Sequence, residues 1–167
     1  RRYVQPASVY MYDWTHVYMA NGIVGWELYL FITAAKATLG LTWEDFQLYF
    51  SAWELPSTLA SRSMKLDKLF GEKRKSSSEG AEQFKASASE LLTLYAPFGQ
   101  RVLDLLAPRR AMQAQIKSML ALFRALDALR VASQLGRGAI TGGELEAAVV
   151  THLRLFKEAY PDYAWKP

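Results

Sequence analysis

Apolar residues recur along most of this chain at the spacings of amphipathic helices. They run almost without a break from Trp14 to Ile32, and Gly40 then stands where the C-terminal cap of a helix is expected. Gly22, which follows an asparagine, and Gly25 both fall inside this run. Because glycine adopts backbone conformations that end or bend a helix, we expect the first long helix to be kinked or broken near these two residues.

Capping residues mark the starts of two later helices. Thr42 is followed three positions later by Asp45, and Thr141 is followed three positions later by Glu144. At this spacing the threonine hydroxyl accepts a hydrogen bond from the backbone N–H of the acidic residue. The carboxylate in return accepts a hydrogen bond from the backbone N–H of the threonine. The sequence therefore predicts helices that begin directly after Thr42 and Thr141.

Prolines divide the middle of the chain. A helix is predicted to end at Tyr95, with Pro97 in the first turn of the next one, and Pro108 opens the longest helix, Arg109 to Leu135. The apolar residues of this longest helix alternate four and three positions apart, which makes a narrow seam for a partner helix. The seam consists of Met112, Ile116, Met119, Phe123 and Leu126.

These patterns predict a mainly α fold, with six or seven helices in a bundle-like array. The one run that favours a strand is Val9 to Tyr12, so we expect a single short strand at the N-terminus. Residues 71–80 have no apolar side chain, two framing glycines and a run of serines, which is typical of a flexible or disordered loop.

The composition is that of a globular protein, since 51% of the 167 residues are hydrophobic and 22% are charged. The absence of cysteine excludes disulfides and cysteine-ligated zinc, and leaves only a hard-cation site as a plausible metal centre. Asn21, Glu27 and Lys36 interrupt the long apolar run. Because charges are costly inside a membrane span, we expect a core helix there and no membrane partner.

Positive charge clusters in the longest predicted helix. Arg110, Lys117 and Arg124 lie seven positions apart and would form a nearly straight basic stripe on one helix. Between Arg109 and Arg137 there are six basic residues and a single acid, Asp127. Such a stripe is suited to contact DNA phosphates, and the alternative is a face that contacts only water.

The candidate chemistry lies near the N-terminus, where Asp13 precedes His16 by three positions. On a helix these two side chains would share a face. Asp13 is also a good N-cap for a helix that begins at Trp14, and a capping carboxylate can face a site at the same time. Glu27 would lie about 16 Å from His16 along the helix axis, too far to share a metal with it.

An aspartate, two residues and a histidine, after a short strand and before an apolar helix, resemble the C/D-x-x-H motif of cut-and-paste DNA transposases with an RNase H-like catalytic domain. The order of parts is also similar, because a long and mostly helical insertion follows the motif in those enzymes. The resemblance implies a fragment of a larger RNase H-like α/β protein. Residues 1–16 would belong to the catalytic core, and residues 17–167 to the helical insertion.

The resemblance also implies a function. Asp13 and His16 would lie beside a pair of Mg²⁺ ions in the full-length enzyme, and His16 would contact the scissile phosphate or orient a carboxylate. This chain alone would hold no metal and would be inactive. Its partner would be DNA, contacted through Arg110, Lys117 and Arg124, and the protein would be intracellular, in the nucleus for a eukaryotic transposase.

A different class of function fits the same sequence. The chain would then be a non-catalytic helical module that binds nucleic acid, a protein partner or a second copy of itself through the basic stripe or the Met112–Leu126 seam. Under this interpretation Asp13 is only a cap, and His16 packs like an aromatic residue. His152 falls on or beside the apolar face of the last helix, which predicts a core or boundary histidine rather than a ligand. The expected partner of Glu27 is Lys36 or a basic residue elsewhere.

Two substitutions in the full-length enzyme separate these interpretations of the motif. If Asp13 only caps, Asp13→Asn should be nearly harmless, because asparagine caps about as well. If Asp13 serves phosphoryl transfer, the variant should keep its melting temperature and lose strand cleavage, because a neutral amide cannot replace carboxylate charge near Mg²⁺. His16→Ala should likewise lower cleavage without unfolding the protein.

Both variants need a melting temperature and a DNA cleavage rate. If the imidazole of His16 fills a gap in the core instead, His16→Ala should destabilise the fold by ~2 kcal/mol or more through the cavity it leaves. Loss of folding without a separate loss of cleavage would assign the motif to structure.

Overall fold

Helices account for most of the computed structural model, which describes residues 14–19, 22–53, 66–71, 83–106, 110–135 and 138–163. The helices are α1 (Trp14–Tyr18), α2 (Ile23–Leu39), α3 (Trp43–Ser51), α4 (Leu66–Phe70), α5 (Ala88–Arg101), α6 (Gln113–Leu135) and α7 (Gly142–Ala159), and a π-helical turn, Val102–Leu106, continues α5. No strand occurs within these ranges, which confirms the mainly α class. The predicted strand and all but the first residue of the predicted loop lie outside them.

Both predicted capping boxes are present. The backbone N–H of Thr42 donates to Asp45 Oδ2 at 2.7 Å, and Asp45 N–H donates back to Thr42 Oγ1 at 3.2 Å. Thr141 and Glu144 repeat the arrangement at the start of α7. The hydrogen bonds from the threonine backbone, and then from its hydroxyl, lower the pKa of each carboxyl group, so both acids cap as anions at neutral pH.

The two glycines of the first apolar run have different roles. Gly22 separates α1 from α2, which confirms the predicted break. Gly25 lies inside α2, where its carbonyl accepts the backbone N–H of Phe84 at 2.8 Å. A Cβ on Gly25 would come within 2.9 Å of the carbonyl oxygen of Phe84. Gly25 therefore permits the close approach of the chain before α5, and does not break the helix.

The helix boundary predicted at Tyr95 is wrong, because α5 runs through Pro97 to Arg101. Its true start is fixed by a third capping box, in which Ser87 and Glu90 exchange the same pair of hydrogen bonds. Proline costs a helix one backbone hydrogen bond. In α5 both Tyr95 and Phe98 are buried, and an uninterrupted helix keeps both rings in the core.

Aromatic rings make up the centre of the core. Phe98 of α5 lies 5.7 Å from Phe31 of α2 and 5.6 Å from Phe46 of α3, measured between ring centroids. It also lies 5.8 Å from Phe50 and 6.4 Å from Phe123 of α6. Ring pairs at these separations attract each other beyond the area that they bury. One side chain thus joins four helices.

The predicted seam of the longest helix is filled from within the chain. All five of its residues are buried in the core, so the partner helices that the spacing predicted are this chain's own. The most extensive interhelical contact is between α6 and α7, and Gln115 near the start of α6 donates to the carbonyl of Ala159 at the end of α7 at 3.1 Å. The two helices therefore form an antiparallel hairpin. Among the described helices, none has both the length and the apolar character of a membrane span.

Candidate functional site

The residues of the predicted catalytic motif fall at the edge of the described structure. Asp13 lies outside the described residues, and His16 falls in α1 with its side chain outside the described part. Within the described ranges, no group of three or more histidine, aspartate or glutamate side chains could hold a metal ion. The interpretation of Asp13 and His16 as a phosphoryl-transfer pair stays a prediction.

The three cations of the basic stripe are all exposed. Lys117 and Arg124 lie on one face of α6, about 10.5 Å apart along the axis at about 1.5 Å per residue. Arg110 lies in the turn before α6, because the helix begins at Gln113 and not at Arg109, and Met112 at φ 60° intervenes. The straight stripe therefore holds for Lys117 and Arg124 alone, with Arg110 beyond the helix start. None of the three forms an ion pair with a described carboxylate.

Lys117 and Arg124 also line a groove between α6 and α7 with a volume of about 400 Å³. Its lining is mostly apolar, with one threonine hydroxyl from Thr151. The apolar residues are Leu120 and Ala121 of α6 and Ala147, Ala148 and Leu155 of α7. Because three of these five side chains are single methyl groups, the surface between the two helices is concave.

A second groove, of about 350 Å³, lies on the other side of α6 against α5. It shares Leu120 and Arg124 with the first, so these two residues form a ridge between the grooves. Its lining includes Gly99 and the exposed Leu103. Apolar side chains line much of both grooves, and the cations among the lining residues come from α6. The second groove also contains the carboxylate of Asp127.

The single acid of this basic region is already occupied. Tyr95 donates its hydroxyl hydrogen to Asp127 at 2.9 Å, and Arg130 donates to the same hydroxyl oxygen. The guanidinium of Arg130 also lies 5.5 Å from the centre of the Tyr95 ring. Burial is the main cause that raises the pKa of Tyr95, so the hydroxyl stays protonated as a donor. Asp127 thus accepts a hydrogen bond from Tyr95, and it lines the groove on the α5 side together with Arg124.

A polar network lies on the buried side of the same hairpin. Ser118 Oγ donates to Glu27 Oε1 at 2.6 Å, and His152 Nε2 lies 2.6 Å from Glu27 Oε2. All three side chains are fully buried. An ionised carboxylate only accepts, so His152 donates from Nε2–H when Glu27 is ionised. The network joins α2, α6 and α7 through one carboxylate.

Tyr160, one residue after α7, borders this network. Burial is the main cause that raises the pKa of its hydroxyl well above the usual range, and the negative charge of Glu27 raises it further. The Tyr160 hydroxyl and His152 Nδ1 are buried atoms without a hydrogen-bond partner among the described residues. Glu27, Ser118 and His152 each have 0% exposure, and their hydrogen bonds tie three helices together inside the core.

The prediction that His152 is a core histidine is confirmed. Glu27 pairs with His152, 125 positions away, rather than with the exposed Lys36. The sequence around Glu27 and His152 indicated that each needs a polar partner, because an acid inside a buried apolar helix and a histidine on an apolar face are both costly to bury alone. Their pairing with each other could not be read from the sequence, because no local spacing connects them.

Comparison of this chain with protein-family models, with curated proteins and with solved structures gave no match. The candidate function therefore rests on the residues themselves. Lys117 and Arg124 of α6, with the groove beside them, offer a ligand both positive charge and a concave apolar surface.

Glu27→Ala tests the weight of the buried network. It should lower the free energy of unfolding by about 3–5 kcal/mol, because it leaves His152 and the Ser118 hydroxyl buried without their partner. Glu27→Gln keeps the shape and one acceptor, so its effect should be smaller. Urea unfolding of the three proteins at one pH measures both effects.

The matched control is Glu158→Ala, which breaks an exposed ion pair with Arg154 on α7. Pairs of this kind contribute less than about 1 kcal/mol. If Glu27→Ala were no more destabilising than Glu158→Ala, the network would not be what positions the hairpin against α2.

Proposed function

We propose that this chain is the helical insertion region of a DNA transposase, and that it contacts DNA phosphates through Arg110, Lys117 and Arg124. The observation that carries the DNA contact is the exposure of all three cations without a described carboxylate partner. The transposase assignment is supported by the resemblance of Asp13 and His16 to the C/D-x-x-H motif and by the helical region that follows them.

Exposed cations suit phosphate contact for a physical reason. A duplex carries a dense row of negative charge, and each lysine or arginine that neutralises a phosphate releases a condensed counterion. Lys117 and Arg124 are about 10.5 Å apart along α6. If α6 lay along a duplex, the span between the two cations would cover about six phosphate charges, counting both strands, at about one per 1.7 Å of axis.

Such binding positions the protein without reading sequence. Phosphate contacts fix register and orientation, whereas sequence is read by groups that reach base edges. The residues between Lys117 and Arg124 on this face are Leu120 and Ala121, which offer no hydrogen bond to a base. We therefore assign the chain a holding role, in which it keeps DNA in place for a catalytic centre elsewhere in the enzyme.

The Mg²⁺ that the resemblance implies does not fit the described part of this chain. No described cluster supplies the carboxylates of a two-metal site, and Asp13 lies outside the described residues. The remaining acids of such a site would come from other segments of the full-length enzyme.

Salt dependence measures the phosphate contacts directly. The chain should bind duplex DNA weakly, with an affinity that falls as salt rises. Replacing Arg110, Lys117 and Arg124 together with glutamine should flatten the log–log slope by about two to three units, at ~0.9 per phosphate contact. Fluorescence anisotropy with a labelled duplex of arbitrary sequence, over a range of salt concentrations, gives this slope.

A control removes the same charge elsewhere. Lys36, Arg154 and Lys157 are also exposed, and replacing these three with glutamine lowers the net charge by the same amount. The control variant should keep most of the slope if contact is local to α6. Equal flattening by both variants, or no DNA binding at low salt, would count against the proposal and favour the protein-interaction module.

A further inference from the structure

Phosphate contact leaves part of the α6–α7 surface unexplained. Cations alone are enough to hold a phosphate backbone, yet Lys117 and Arg124 stand at an apolar groove of about 400 Å³. DNA phosphates gain nothing from an apolar lining. A ligand that uses the whole groove must therefore combine apolar groups with negative charge.

The shape of the groove restricts the ligand further. Ala121, Ala147 and Ala148 keep side-chain volume low along the contact of the two helices, while Leu120 and Leu155 stand beside them. A depression between two antiparallel helices accepts the ridge of a third helix, because rows of side chains on one helix pack between rows on its neighbours. The groove on the α5 side shares Leu120 and Arg124 but also contains the carboxylate of Asp127, which would repel an acidic ligand, so the α6–α7 groove is the one suited to such a ligand.

The two cations of the groove restrict the choice of ligand most. Lys117 and Arg124 are seven residues apart, which is two helical turns. A fatty acid or another single-headed amphiphile carries one anionic group and would leave the second cation without a partner. A helix with two carboxylates seven positions apart meets both cations when it lies along α6, since the repeat on the two helices is the same.

We infer that the α6–α7 groove binds an amphipathic helix of a protein partner, with its apolar side in the groove and acidic residues seven positions apart facing Lys117 and Arg124. This is the helix-in-groove mode of recognition, in which apolar anchors supply affinity and flanking charges select the partner. The inference goes beyond the proposed function and uses two of the same cations. The acidic helix and DNA would accordingly compete for this face.

The test uses a synthetic probe. A fluorescein-labelled peptide of about 18 residues, five helical turns long, carries leucines along one stripe and glutamates seven positions apart beside it. It should bind the whole chain saturably in fluorescence anisotropy, and unlabelled duplex DNA should displace it. A peptide with lysine in place of each glutamate should bind at least about tenfold more weakly, a difference of about 1.4 kcal/mol.

Filling the groove separates this inference from DNA binding. Ala147 lines the groove and is exposed, so Ala147→Trp blocks the groove without disturbing a core position. This substitution should lower the affinity for the acidic peptide at least about tenfold. Val150→Trp is the matched control, because Val150 is exposed on α7 and does not line the groove. The control should change the affinity less than twofold, on the order of a neutral surface substitution.

A charge swap checks the pairing of the cations. Replacing Lys117 and Arg124 with glutamate should abolish binding of the acidic peptide and restore binding of the lysine peptide. No saturable binding of the acidic peptide, equal binding by Ala147→Trp, or equal binding of both peptides would overturn the inference. The salt slope for DNA is measured separately, so a failure of peptide binding with an intact slope removes this inference and leaves the proposed function standing.

Discussion

The carboxylate of Glu27 holds α2 to the α6–α7 hairpin from inside the core. One of its oxygens accepts from Ser118 of α6, and the other is bonded to His152 of α7. All three side chains are fully buried, so an arrangement that separates them leaves buried polar groups without hydrogen-bond partners. Apolar cores tolerate some repacking of their side chains. The hydrogen bonds of Glu27 tolerate much less rearrangement, and the three helices are therefore fixed in register with one another.

That restriction also decides which residues of the hairpin face outward. Successive residues on a helix point about 100° apart. With Ser118 turned toward Glu27, its neighbour Lys117 emerges at the surface, and Arg124 emerges two turns later on the same side. On α7, Thr151 reaches the groove because its neighbour His152 points into the core. The buried network and the surface offered to a ligand are thus two consequences of one helix orientation.

The features that the sequence predicted well are those made by residues close together in the chain. The capping boxes at Thr42 and Thr141 involve positions three apart, and the shared face of Lys117 and Arg124 follows from the helical period. The rule that a proline marks a boundary failed at Pro97, because it does not weigh the burial of the aromatic rings on either side. The groove was not predictable, since it depends on how closely two helices approach.

The same distinction between near and distant contacts bears on the order in which the fold assembles. The hairpin joins neighbours in the chain through the most extensive interhelical contact, so it can form from local contacts. Glu27 is hydrogen-bonded to Ser118 and to His152, which lie 91 and 125 positions away in the sequence, so these contacts close long loops. The Glu27 carboxylate is hydrated until α2 docks, and it must give up that water as it meets Ser118 and His152 on the hairpin. We expect docking of α2 to be the slow step, so a chain caught before it would carry a finished hairpin beside an unattached α2.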